Sequence, residues 1–199
     1  MIILFETGIH NLAELLQAAS AIVTIVGVIA IVNGIRSYSL SQNQFKQEVM
    51  THCLDRYYVV MFDKKYQINK EPDTWLQQYF ELVNEEMFYF QVKYLPMDVI
   101  IEWMDGIIDN VVIRNAATLE VINERSLMEP IKGSHKQDGF PRLKNAFTLR
   151  SGVDYGAAFD KENPDYAETR KQLIIEVLTN LCGTLSREER QVIEQTELI

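Results

Sequence analysis

The chain is 199 residues long, 47% hydrophobic and 24% charged, with a formal net charge of −9. That length holds one domain with a real core, and 20 aromatic rings, from 9 Phe, 9 Tyr and 2 Trp, exclude wholesale disorder. The 28 acidic side chains outweigh the 19 basic ones, so no nucleic acid is expected as a partner, because broad binding to phosphates needs a positive surface.

The first predicted element is Leu15 to Ile35, a run of 21 residues without a charged side chain. A helix of that length is about 31 Å long and matches the hydrocarbon core of a bilayer. The flanks and length do not suit a secretory signal peptide, since the start is acidic (Glu6, Glu14) and lacks Lys and Arg. A buried helix of a soluble protein would show a polar stripe, whereas here Gln17, Ser20, Thr24 and Asn33 are the polar residues. The sequence therefore predicts a transmembrane helix over 12–35, a short extracytoplasmic tail over 1–11 and a cytosolic domain over 36–199. Arg36 and Lys46 follow the helix, so the positive-inside rule puts the carboxy-terminal side in the cytosol and the protein in the cell inner membrane. Ser20, Thr24, Gly27, Ala30 and Gly34 form a small-residue face that lets helix backbones approach. A homo-oligomer in contact with the lipid bilayer is expected.

Ser37–Gln44 reads as a linker or as a continuation of the anchor helix. Phe45, Val49, Cys53, Tyr57 and Met61 then recur every four residues, which predicts a helix. Asp63–Lys70 breaks the pattern. Glu71-Pro72-Asp73 is a start signal with Asp73 as N-cap. The following helix offers Trp75, Tyr79, Leu82, Val83 and Phe90 on one face and Phe80, Met87 and Phe88 on another, and Tyr94-Leu95-Pro96 ends it. A third helix begins near Met97, burying Ile100, Met104, Ile107, Ile108 and Val111. Glu102, Asp105 and Asp109 lie on its other side and read as a solvated face. A fourth helix is expected over 116–128.

Residues 129–160 change character, with Pro130, Gly133, Gly139, Pro141 and Gly152 among basic side chains. They predict a long basic loop with a short helix near Leu143–Leu149. Residues 71–129 hold 12 acidic and 3 basic side chains and residues 130–161 hold 6 basic and 3 acidic ones, so the two blocks are expected to attract each other or a neighbouring copy. Asn163-Pro164 opens a helix with Leu173, Ile174, Val177, Leu178 and Leu181 on its apolar stripe, and Gly183 stops it. Ser186-Arg187-Glu188-Glu189 has the form of a capping box that opens a last helix to about Thr196. The class is all-α, with a bundle of about five to six helices after the anchor.

Catalytic motifs are absent. Cys53 and Cys182 lie in no CxxC pair and read as buried, inert thiols. The histidines His10, His52 and His135 lack metal-ligand spacing, and no Glu-x-x-His pair supports a di-iron centre, so neither metal nor cofactor is expected. GxxxxGK[ST], GxGxxG and GxSxG are also missing. Lys132, Lys136, Arg142 and Lys144 offer a candidate set for an anion, a phosphate-bearing ligand or anionic headgroups, although no strand-loop-helix context aims backbone amides there.

Trp75–Val111, with Tyr79, Leu82, Val83 and Asn84 followed by Trp103 beyond Pro96, together with the anchored start, resembles bacterial single-pass inner-membrane proteins of uncharacterised function with a helical cytosolic domain. Some of those are suspected effectors of phage defence. The expected role is a non-catalytic, membrane-anchored interaction or scaffold protein that binds a cytosolic protein partner or a small ligand. The alternatives are a membrane-perturbing effector that opens an oligomeric leak and a membrane-tethered enzyme.

Overall fold

A computed structural model of the chain describes residues 31–63, 72–132 and 134–198. The chain divides into two units, at Val49 and Met50. In the first, residues 31–49 are helical, so Ser37–Gln44 continues a helix and is not a linker. Ile31, Val32, Ile35, Tyr38 and Leu40 are exposed there. Ser20, Thr24, Gly27 and Ala30 of the predicted association face lie outside the described residues. Gly34 is described, is exposed, and has open space where a Cβ would stand. Among the described residues no helix is long and apolar enough to cross a membrane, and most of the predicted span, 12–30, lies outside them.

The second unit is mostly helical, in agreement with the all-α class. Residues 50–58 are helical (α1) and run into a π turn at Val59–Asp63. Helix α2 spans Pro72–Gln91 and α3 spans Met97–Ile108. Their apolar periodicity is buried as the spacing requires: Trp75, Tyr79, Phe80, Leu82, Val83, Met87 and Phe90 on α2, Ile100, Met104, Ile107 and Ile108 on α3. Phe88 departs from the expectation. It is exposed on α2, with the Arg142 guanidinium 5.1 Å above its ring.

The expected helix over 116–128 does not form. The chain runs extended at β1, Arg114–Asn115, and then turns, with Leu119 at φ 60°. The reason is local competition for backbone groups. The Asn115 side chain accepts from the amides of Ala117 (2.8 Å) and Thr118 (3.2 Å). The buried Asn123 amide donates to the carbonyls of Ile108 and Val111 and accepts from Ile113 N–H. Gln137, also buried, accepts from Val112 N–H at 2.7 Å and donates to Val112 O at 2.8 Å. These two side chains do for Val111–Ile113 what a β ladder would.

Residues 129–160 are not a loose loop. They hold a 3-10 turn at Lys136–Gly139, helix α4 at Pro141–Ala146, strand β2 at Thr148–Leu149 and a second 3-10 turn at Gly156–Phe159. Ile131, Leu143, Ala146, Phe147, Leu149 and Tyr155 are buried, so apolar burial fixes the segment in spite of its turn residues. β2 pairs with β1 in parallel, Arg114 with Thr148 and Asn115 with Leu149. Charge attraction between the acidic and basic blocks is modest: Lys136 reaches Asp73 at 3.8 Å.

Helix α5, Tyr166–Cys182, is central and packs against α2, α3, α4, the second 3-10 turn and α6. It begins three residues after Asn163, whose side chain caps a turn by accepting from Asp165 N–H. Gly183 at φ 82° ends it, a conformation that suits glycine. The capping box at Ser186 and Glu189 forms with both hydrogen bonds and opens α6, Arg187–Gln195.

Glu176 on α5 clasps the chain after β2. Its carboxylate accepts from the amides of Arg150 (2.7 Å) and Ser151 (3.0 Å), from Ser151 Oγ (2.5 Å) and from Tyr155 OH (2.6 Å). Burial alone would raise its pKa, but these hydrogen bonds outweigh it and hold the carboxyl below the ordinary range. Glu176→Gln puts an amide N–H against these donors and is expected to cost about 2 kcal/mol at pH 7. The lowered native pKa means that this contribution is present above the unfolded carboxyl's range and is lost as pH falls through the native value. In urea melts from pH 7 to pH 3 the gap between the two proteins closes; a constant gap would contradict the assignment.

Candidate functional site

α1, α2 and α3 enclose a cavity of about 370 Å³. α1 contributes Cys53, Leu54 and Tyr57, and α2 contributes Tyr79, Leu82, Val83 and Glu86. α3 closes it with Glu102, Trp103, Gly106 and Ile107, and the turn after α3 adds Asp109 and Asn110. The walls are rings and aliphatic side chains with a few polar groups, the usual make-up of a small-molecule pocket.

The cavity exists because its walls are tied together elsewhere. Trp75 Nε1 donates to Val60 O at 3.1 Å, joining α2 to the π turn, and the Trp75 indole stacks on Tyr79 with centroids 5.5 Å apart. On the outer side of α2, Glu85 receives Arg56 and Tyr89 Oη and lies 3.3 Å from His52 Nε2. Consecutive helix positions point about 100° apart, so Glu85 faces this surface network while its neighbour Glu86 faces inward.

Glu86 is only 6% exposed, and among the described residues no side chain or backbone group hydrogen-bonds its carboxyl. Burial pushes its pKa up to about 8, and nearby Arg56 opposes the rise. Tyr79 is likewise raised well above its ordinary value, first by burial and then by Glu86. Burial and Glu86 push the Cys53 thiol up to about 12 against the pull of Arg56, so it is inert at neutral pH, as its sequence context implied. Cys182 is also a free thiol, partly exposed.

The acidic row on α3 is not simply a solvated face. Arg170 on α5 is fully buried and donates from Nε to Asp105 Oδ1 at 2.6 Å and from Nη1 to Asp109 Oδ1 at 2.8 Å. It also donates to the carbonyls of Asp105 and Ala158, and its guanidinium lies 5.8 Å from the Phe159 ring centre. Burial works against its charge, but the two carboxylates overcome this and raise its pKa. The clamp fixes the α3 wall, because Asp109 belongs both to it and to the cavity lining. Glu102 remains exposed at the rim.

Of the predicted anion set, Lys132 and Lys136 share a surface depression with Ser134 and His135. Lys132 pairs with Glu129 at 2.8 Å. Arg142 and Lys144 sit on α4 and do not line that depression; Arg142 instead caps Phe88 and donates to Gln91 Oε1 at 3.3 Å. Among the described residues no group of three or more His, Cys, Asp or Glu side chains is placed to hold a metal ion. Sequence reasoning missed Glu86, although the signal was there: it falls three residues after Val83 and four before Phe90, a carboxylate within an otherwise apolar helix face. The chain matches no protein-family model, no curated protein and no solved structure.

Proposed function

We propose that the protein is a non-catalytic, membrane-anchored interaction protein whose helical domain takes a small ligand in the α1–α2–α3 cavity. The observation that carries this is Glu86, a carboxyl without a hydrogen-bond partner among the described residues, buried in the wall of a 370 Å³ cavity. Such a group destabilises the fold unless something else engages it. The anchor reading rests on the uncharged run Leu15–Ile35, and the placement of the helical domain in the cytosol rests on Arg36 and Lys46. Self-association would proceed through Ser20, Thr24, Gly27, Ala30 and Gly34. A domain tethered in this way can report its ligand to a protein partner at the membrane.

Two measurements test this reading. After lysis without detergent, the full chain is expected in the high-speed membrane pellet; recovery in the supernatant removes the anchor. The pocket is tested by calorimetry with three single-ring probes of different charge, phenethylamine, 2-phenylethanol and phenylacetate. The full chain is held in phosphatidylcholine nanodiscs, or in buffer if it proves to be in the supernatant. At least one probe is expected to bind saturably at one site. Gly106→Phe is expected to abolish that binding, because Gly106 lines the cavity and open space surrounds the place of its Cβ. If no probe binds, or if the plugged variant binds equally well, the pocket reading falls.

A further inference from the structure

We infer that the cavity takes a small organic cation, an amine on an aromatic or aliphatic body, with its ammonium at Glu86 against the rings of Tyr57, Tyr79 and Trp103. The inference rests on the pocket reading above and specifies the ligand.

Charge is the first argument. The ionisable groups that line the cavity are all acids, and among the described residues no basic side chain lines it. An anionic ligand would find no basic side chain in the lining and would face the carboxyl groups of Glu102 and Asp109. The nearby cation, Arg56, is held by Glu85 on the surface of α2. Asp109 is likewise occupied, by Arg170, and Glu102 stands in solvent. The charge left for a ligand is therefore that of Glu86.

The second argument is the chemistry around that carboxyl. Its oxygens keep open acceptor capacity toward the cavity, where one ammonium would supply both a counter-charge and hydrogen-bond donors. Ring faces attract ammonium groups through their quadrupole, and the cavity presents three rings. Leu82, Val83 and Ile107 receive the apolar body. A bare metal ion does not suit the site, because the described residues hold no group of three ligating side chains.

Engagement of a cation makes the ionised form of Glu86 the favoured one, so near neutral pH a proton leaves the site as the ligand enters. The groups that face Glu86 are Arg56 and Cys53 from α1, Tyr79 from α2, and Glu102 and Asp109 across the cavity on α3. Of these, Cys53 and Tyr79 stay protonated throughout, which leaves Glu86 as the source of the proton.

The same three probes decide the question. At pH 7 phenethylamine is expected to bind at least tenfold more tightly than 2-phenylethanol, and phenylacetate is expected not to bind. The enthalpy for phenethylamine should differ between phosphate and Tris buffers in proportion to their ionisation heats, reporting the released proton. Glu86→Gln keeps the shape of the neutral acid. It should reduce the affinity for phenethylamine to that for the alcohol, leave the alcohol unchanged within twofold, and remove the buffer dependence. If the alcohol or the acid binds as well as the amine and Gly106→Phe abolishes that binding, the pocket stands and the cation inference is overturned. The same holds if Glu86→Gln keeps the amine preference. If none of the three binds, both fall.

Discussion

Arg170→Met is expected to cost the helical domain about 4 kcal/mol of stability, read as a lower urea midpoint with an unchanged slope. The wild-type guanidinium answers Asp105, Asp109 and the carbonyls of Asp105 and Ala158 from a fully buried position. Methionine fills similar volume but leaves both carboxylates and both carbonyls without their donor. Asp105 and Asp109 retain 23% and 45% side-chain exposure, so water recovers part of the loss and the value sits within, not above, the range for broken buried pairs. Arg170→Lys should recover less than half, because one ammonium cannot reproduce a planar fork that spans two carboxylates. The decisive control removes the whole clamp: Arg170→Met with Asp105→Leu and Asp109→Leu leaves no orphaned charge and should regain most of the stability. A triple variant no more stable than Arg170→Met alone would show that Arg170 acts through packing.

The second large effect is a gain. Glu86 has its native pKa near 8, whereas an unfolded glutamate titrates near 4.3. Between those values the native state holds a proton that the unfolded state has released, so stability falls as pH rises through this window and levels off above about pH 8. By pH 7 the group has cost about 3 kcal/mol relative to acid conditions. Glu86→Gln carries no such proton. Its stability should match the wild type only below about pH 4, exceed it by about 1 kcal/mol at pH 5 and by about 3 kcal/mol at pH 7, and lack the wild-type decline across this window. Urea melts at pH 5, 6, 7 and 8 measure this directly. Equal slopes in the two proteins would mean that Glu86 ionises normally in the fold. A stabilising substitution in a cavity wall is what a binding residue at odds with folding stability produces.

The two effects are coupled through Asp109, which belongs both to the Arg170 clamp and to the cavity wall. Glu86 and Asp109 line the same cavity. Occupancy of the cavity and the rigidity of the α3–α5 contact therefore share one charged group, which is a route by which a ligand could alter the surface offered to a partner.

The sequence by itself determined those parts of the domain whose causes lie within a few residues. Helices α2, α3 and α5 follow from apolar spacing, because a helix that buries one face writes its period into the chain. The stop at Gly183 and the capping box at Ser186 and Glu189 follow from single-residue backbone chemistry.

Tertiary structure decided whatever required a distant partner. Asp105 and Asp109 read as solvent-facing until Arg170, more than 60 residues later in the chain, meets them. Residues 116–128 have helical composition, yet the Asn115 side chain binds the local backbone, and Asn123 and Gln137 bind the backbone of Val111–Ile113 just before it. The proline- and glycine-rich stretch looks loose, but Ile131, Leu143 and Phe147 find the core and Glu176 clasps the chain beyond β2. Glu86 marks the boundary between the two kinds of information. Its place on an apolar face is visible in the sequence, but its burial in a cavity wall arises only when α1 and α3 close over it.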